Sequence, residues 1–219
     1  MTLEPVSNPH EDKMKKVSLV VLVASAASAL VAGIVAGYLT GVASTRGEKD
    51  VLKALVKHEE EAEIQAVRTI IRKRFNVSYP SNWKVDMADP DYDPDYNFSI
   101  ESSGSTFVAF LLGEMETSPE DNIQSQIHAF RRIVKDPVIT RFTEYGKLSG
   151  KGAILKGDIL GIPHTVRFFS LFQDGLTVII VEQCPDGDMK YVGQGLSLIE
   201  TSFSLNPSAD EVPERSGAD

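Results

Sequence analysis

Apolar and polar residues are unevenly distributed along this chain. From Val17 to Thr45 there is no charged residue: VSLVVLVASAASALVAGIVAGYLTGVAST. As a helix that run rises about 43 Å, enough to cross a hydrocarbon core of about 30 Å. It therefore predicts a single transmembrane anchor over 17–45, behind a polar tail of residues 1–16. The pattern then changes. Residues 47–75 contain no proline and no glycine after Gly47, and are rich in Glu, Lys, Ala, Leu, Arg and Gln. Leu52, Leu55, Val56, Ala62, Ala66, Val67, Ile70 and Ile71 recur there at helical spacing. This predicts a helical stalk over 46–75, broken at Asn76 to Pro80. Lys57-His58-Glu59-Glu60-Glu61 interrupts the apolar stripe, so a long coiled coil is disfavoured.

Beyond the stalk the periodicity shortens. Strands are predicted at about 83–87, 96–101 and 105–112. A helix follows: Ser118 suits its N-cap, Pro119 its first position, and Glu120 and Asp121 the positive end of its dipole. Ile123, Ile127, Phe130 and Val134 give that helix one apolar face, and Pro137 ends it. Four more strands are predicted at about 138–147, 150–160, 163–173 and 176–183. Gly161-Ile162-Pro163 and Asp174-Gly175 are hairpin signals between the last three. Met189, Val192, Leu196, Ile199 and Phe203 mark a closing amphipathic helix over 188–203, weakened locally by Gly193 and Gly195. Residues 206–219 are polar and acidic and predict a disordered tail. Strands, helix, strand meander, helix: that order is an α+β arrangement, an antiparallel sheet flanked by helices, within 76–205. It lacks the βαβ rhythm of a doubly wound nucleotide-binding sheet.

Charge sharpens this picture. The net charge is −9. Within 76–205, eighteen acidic residues face ten basic ones. Nucleic acid is excluded as a partner, because phosphate binding needs a basic face. Lys13, Lys15 and Lys16 precede the apolar run, whereas Arg46, Lys49, Lys53 and Lys57 follow it. The cluster of lysines on so short a tail favours an orientation with the N-terminus inside and the domain outside the cytoplasm, at the cell membrane. The apolar run continues past the small-residue sites Ala24-Ser25-Ala26 and Ala27-Ser28-Ala29. An uncleaved signal anchor is thus favoured over a cleaved signal peptide. Within the span Gly33, Gly37 and Gly41 lie four apart, on one helix face. Small residues there let a second helix approach, either another copy or a membrane partner.

The chemistry-bearing residues form no catalytic set. Cys184 is the single cysteine and reads as a small buried hydrophobe near a strand end. His10, His58, His128 and His164 stand at no metal-ligand spacing. His128 neighbours the apolar helix face and is expected to be structural, and His58 to be solvated. Asp89, Asp91, Asp93 and Asp95 alternate in a tandem Asp-Pro-Asp-Tyr, a spacing that could wrap Ca2+. The EF-hand pattern fails, with Pro94 where glycine is needed and Ile100 where the bidentate glutamate belongs. A solvated acidic loop is the expectation, and no cofactor is implied. The sequons at Asn76-Val77-Ser78 and Asn97-Phe98-Ser99 are read as coincidence.

Tyr79-Pro80-Ser81-Asn82-Trp83, the phrase from Gly152-Ala153 to Gly157 with the two strands after it, and the closing helix ending in Ser202-Phe203 resemble the PsbP-like superfamily. That superfamily also takes in DcrB and the bacterial LpqN type. The resemblance covers about 76–205. It implies an α-β-α sandwich around a central antiparallel sheet, and membership among binding and assembly factors rather than enzymes. The expected function is a membrane-anchored, non-enzymatic domain that engages a protein partner or membrane complex. A small-ligand or lipid-binding envelope protein and a hydrolase with an unrecognised site are the alternatives.

Overall fold

A computed structural model describes residues 59–159 and 161–206. The span 17–45, the glycines Gly33, Gly37 and Gly41, the stalk as far as His58 and the tail beyond Asn206 lie outside the described residues. Among the described residues no helix is long and apolar enough to cross a membrane.

Among the described residues ten strands and two α-helices follow one another. In order they are β1 (Val67–Ile71), β2 (Phe75–Pro80), β3 (Lys84–Val85), β4 (Asn97–Glu101), β5 (Phe107–Gly113) and helix α1 (Pro119–Ile133). Then come β6 (Val138–Tyr145), β7 (Leu148–Ile159), β8 (Ile162–Gln173), β9 (Leu176–Pro185), helix α2 (Met189–Ser202) and β10 (Ser204–Leu205). Seven strands build the main sheet in the order β3-β4-β5-β9-β8-β7-β6. The meander β6 to β9 folds back after α1, so its last strand pairs with β5. β1, β2 and β10 form a separate three-stranded sheet. Every pairing is antiparallel. The arrangement is α+β.

The central position of β9 explains its sequence. A strand covered on both faces reads as a largely apolar run, as Val178 to Val181 does, and all of β9 is buried, Thr177, Glu182 and Gln183 included. Alternation along β8 separates the two faces. Phe169 and Leu171 join Val192, Leu196 and Ile199 of α2 in the principal core. Ser170, between them, instead accepts a hydrogen bond from Nδ2 of Asn122 on α1. Across the principal core runs a chain of rings. Phe75 of β2 stacks on Phe98 of β4 at 5.2 Å, Phe98 on Phe110 of β5 at 4.8 Å, and Phe110 meets Phe203 at 5.0 Å. It ties the small sheet to the large one.

Local signals place the helices and turns. Ser118 caps α1, its hydroxyl accepting from the Asp121 amide, and Ile123, Ile127 and Phe130 are buried. His128 is exposed, which corrects the structural role expected of it. The β8–β9 turn has Asp174 and Gly175 both at positive φ (51° and 71°), the geometry of a tight hairpin turn. The glycines of β7 serve close packing. A Cβ at Gly152 would collide with the Phe142 ring, and one at Gly157 with Val134 after α1.

The helical stalk is not what the described residues adopt. Residues 59–66 are irregular, and 67–71 and 75–80 are strands. Asn76 to Pro80, expected to break a helix, is the centre of the small sheet, with Phe75, Val77 and Tyr79 buried. Helix propensity, worth tenths of a kcal/mol per residue, loses to ten paired backbone positions and a buried strand face. Val67, Arg68, Thr69, Ile70 and Ile71 pair with Pro80 to Asn76 in register.

Candidate functional site

The Tyr-Pro-x-x-Trp motif holds the segment that precedes the domain. Residues 59–66 cross the fold as a strap. Asn82 clasps it from both sides: Oδ1 accepts from the Glu63 amide at 3.0 Å, and Nδ2 donates to the Glu61 carbonyl at 2.9 Å. The Ser81 hydroxyl donates to the Glu63 carboxylate, and its amide to the Ala66 carbonyl. Ala62 is buried and its amide donates to the Tyr191 carbonyl of α2 at 3.0 Å. Trp83, 1% exposed, packs beside it. Gly195 makes room for both: a Cβ there would stand 2.8 Å from Cζ2 of Trp83, 2.9 Å from Ala62 and 2.9 Å from Pro80.

Glu59 begins the strap in the loop that joins β4 to β5. It is 3% exposed, yet four donors meet its carboxylate. Oε1 accepts from the Ser102 hydroxyl at 2.7 Å, the Ser105 amide at 3.0 Å and the Thr106 amide at 3.1 Å. Oε2 accepts from the Gly104 amide at 3.2 Å. Consecutive backbone N–H groups aimed at one carboxylate form an anion cradle. Gly104 is required there, because a Cβ would collide with the Glu59 carboxylate.

A second ionic group lies where α2 meets β8 and β9. Arg167 of β8 donates through Nη1 to Glu182 of β9 at 2.7 Å and to Glu200 of α2 at 2.8 Å. Its Nη2 donates to the other Glu200 oxygen at 3.0 Å. The guanidinium lies over the rings of Phe142 and Tyr145, at 5.2 and 5.5 Å. The Tyr145 hydroxyl donates to Glu182 at 2.9 Å. Burial pushes the Glu182 carboxyl up to about 6, against the pull of Arg167 and Tyr145. Burial also raises the Tyr145 hydroxyl, and Glu182 raises it further. Burial pulls Arg167 down, but the Glu200 hydrogen bond and the two carboxylate charges more than offset it. Hydrogen bonds from Arg167 hold Glu200 below the usual carboxylate range. The group is a strut between sheet and helix. Sequence reasoning passed over it, although a signal is present: Arg167 and Glu182 are charges inside apolar strands, opposite each other in the β8–β9 register.

Two of the four aspartates, Asp89 and Asp93, hold their own turns. Oδ1 of Asp89 accepts from the Asp91 amide at 2.9 Å, and Oδ1 of Asp93 from the Asp95 and Tyr96 amides at 2.9 and 3.1 Å. Asp95 faces Arg72 at 3.6 Å. Among the described residues no group of three or more His, Cys, Asp or Glu side chains is placed to hold a metal ion. Cys184 is buried near the end of β9, and burial pushes its thiol up to about 11, the state of an inert thiol. Nδ1 of His164 lies 2.8 Å from the Ile162 carbonyl.

No family model matches the chain, and no curated protein matches it. Solved structures do. LpqN of Mycobacterium tuberculosis, a protein involved in cell envelope biogenesis, matches with a TM-score of 0.44 and 11% identity, over 65% of this chain and 91% of that one. The cyanobacterial PsbP of Synechocystis matches at 0.40 and 10%, over 65% of this chain and 94% of that one. A protein of Bacteroides thetaiotaomicron matches at 0.39 and 10%, over 61% of this chain and 46% of that one. The structural matches therefore include LpqN and a PsbP protein, the types that the sequence resembles.

Proposed function

We propose that this chain is a single-pass membrane protein of the cell envelope whose α+β domain works by binding. It engages a protein partner, or a second copy of itself, at the membrane surface, and carries out no catalysis. The observation that carries this reading is the strap. Glu59 follows Thr45, the end of the uncharged run, by fourteen residues. Fourteen residues reach about 21 Å as a helix and about 46 Å extended. Docking of the strap from Glu59 onward removes any further slack. If residues 17–45 span the bilayer, a connection of that length limits the reach of Glu59 from its edge to about 46 Å, which suits a partner fixed in the same membrane. Small-residue packing at Gly33, Gly37 and Gly41 gives that partner a contact inside the bilayer.

The ionisable interior fits the same reading. Glu59, Arg167 and Glu182 are each held by partners within the fold. General acid–base catalysis needs such groups within reach of a substrate proton. The lysines before the span favour placing the domain outside the cytoplasm.

Membrane extraction tests the proposal. The full-length chain should remain in the membrane pellet after alkaline carbonate treatment. Protease added outside intact cells or spheroplasts should digest the domain. A chain released by alkali would overturn the tether, and one protected from external protease would overturn the orientation.

A further inference from the structure

We propose that the loop from Ser102 to Thr106 is a carboxylate receptor and that Glu59 is its tethered ligand. The strap is then latched to the domain through one exchangeable group. Three features separate this site from an ordinary surface ion pair. The donors are backbone amides of Gly104, Ser105 and Thr106 plus one hydroxyl, with no cation bonded to Glu59 among the described residues. Such a site selects an oxyanion by direction rather than by charge alone. The carboxylate fills it almost completely out of water, at 3% exposure. Gly104 leaves open the volume that the carboxylate occupies.

The loop is also set apart from the rest of the strap dock. Glu60 adds one hydrogen bond there, its amide to the Ser103 hydroxyl at 2.9 Å. The remaining strap contacts lie further along, at Asn82, Ser81 and Tyr191. The Gly104 amide is shared between Glu59 and the Ser102 hydroxyl, both at 3.2 Å, so withdrawal of the Glu59 carboxylate leaves a preformed cradle in which the Ser105 and Thr106 amides lose their acceptor. Buried amides without acceptors are costly, so an external carboxylate of similar shape is drawn into the vacated place. The end of the strap nearest the predicted span controls access to the receptor. The cradle belongs to the folded domain, whether or not residues 17–45 span a bilayer. Its test and the membrane extraction can therefore fail independently.

Chemical rescue tests the receptor directly. In the full-length chain, Glu59→Ala should speed hydrogen exchange at the Ser105 and Thr106 amides by at least tenfold. Sodium acetate should restore protection with saturation. Sodium chloride at equal ionic strength should not. In Glu59→Ala/Gly104→Val the new side chain occupies the cradle, and acetate should restore nothing. Should Glu59→Ala not fold in chloride, acetate-dependent recovery of the native state is the equivalent readout. Absence of rescue by acetate, or equal rescue by chloride, would overturn the proposal. Restoration in the Gly104→Val background would overturn it as well.

Discussion

Arg167 holds Glu200 with two nitrogens, Nη1 at 2.8 Å and Nη2 at 3.0 Å, and so fastens helix α2 to strand β8. The same Nη1 reaches Glu182, which is 3% exposed. Arg167→Ala would leave that buried carboxylate without its cation, and removing one member of a buried pair is strongly destabilising. We expect a loss of about 3 kcal/mol in urea unfolding. Arg167→Ala/Glu182→Gln should recover about 1 kcal/mol of it, because the uncompensated charge is gone. A double variant no more stable than the single one would show that lost packing on Phe142 and Tyr145 dominates.

The same group gives the domain a pH dependence. Burial raises the Glu182 carboxyl from an ordinary 4.5 to about 6. The folded state then binds this proton more tightly than the unfolded state. The stabilisation from it is complete below about pH 4.5 and is lost as pH rises through about 6. The amplitude is on the order of 2 kcal/mol. Glu200 acts in the opposite sense: its lowered value makes its contribution vanish as the solution becomes more acid than its ordinary range. Glu182→Gln should therefore remove the decline between pH 4.5 and 6 while leaving the acid limb. Urea midpoints of the two proteins across that window measure it, and parallel profiles would refute the assignment.

Two glycines of α2 should respond to alanine with opposite signs. At Gly193 a Cβ meets only Sδ of Met189, at 3.6 Å. The helix-propensity gain is then uncancelled, and Gly193→Ala should stabilise by about 0.5–1 kcal/mol. At Gly195 the Cβ would press on Trp83, Ala62 and Pro80 at 2.8–2.9 Å. Overpacking of about 1–3 kcal/mol outweighs the same propensity gain, so Gly195→Ala should destabilise. Thermal unfolding of the pair checks both directions.

These two glycines also mark how far sequence reasoning reached. Their local effect on a helix was legible, but the tertiary contact that makes Gly195 necessary was not. Long elements with a clear period were placed within a few residues: α1, α2 and the hairpins from β6 to β9. Their signals are local, namely Ser118-Pro119, Asp174-Gly175 and the 3-4 spacing from Met189 to Phe203. The strap and β1 were misread as helix because Glu, Lys, Ala and Arg favour helix by composition. Their actual structure depends on partners far along the chain, Asn82, Tyr191 and Ser102 among them. The Tyr-Pro-x-x-Trp motif was visible as a resemblance, while its task of gripping residues 59–66 emerged only in three dimensions. Likewise the aspartates suggest a cation by spacing alone, and only the fold shows the carboxylates of Asp89 and Asp93 accepting from amides of their own loop.

The strap grip can be loosened without touching the core. Asn82→Ala removes both hydrogen bonds to Glu61 and Glu63 and leaves Trp83 in place. Net losses of about 1 kcal/mol per hydrogen bond predict a drop of about 1–2 kcal/mol, concentrated in the strap. Limited proteolysis should then cut within residues 60–66 several-fold faster than in the wild type, while β9 amides keep their protection. Uniform acceleration across the domain would show that the strap has no separate opening.

The measurement closest to the proposed binding role is the state of the full-length protein in the membrane fraction that the predicted span would place it in. Cross-linking before extraction into mild detergent, followed by mass determination, reads partner engagement directly. The account predicts a discrete adduct, with a second copy or a distinct membrane protein, that falls several-fold in Gly37→Leu while the domain stays folded. A monomer alone, in the wild type and in Gly37→Leu alike, would contradict it.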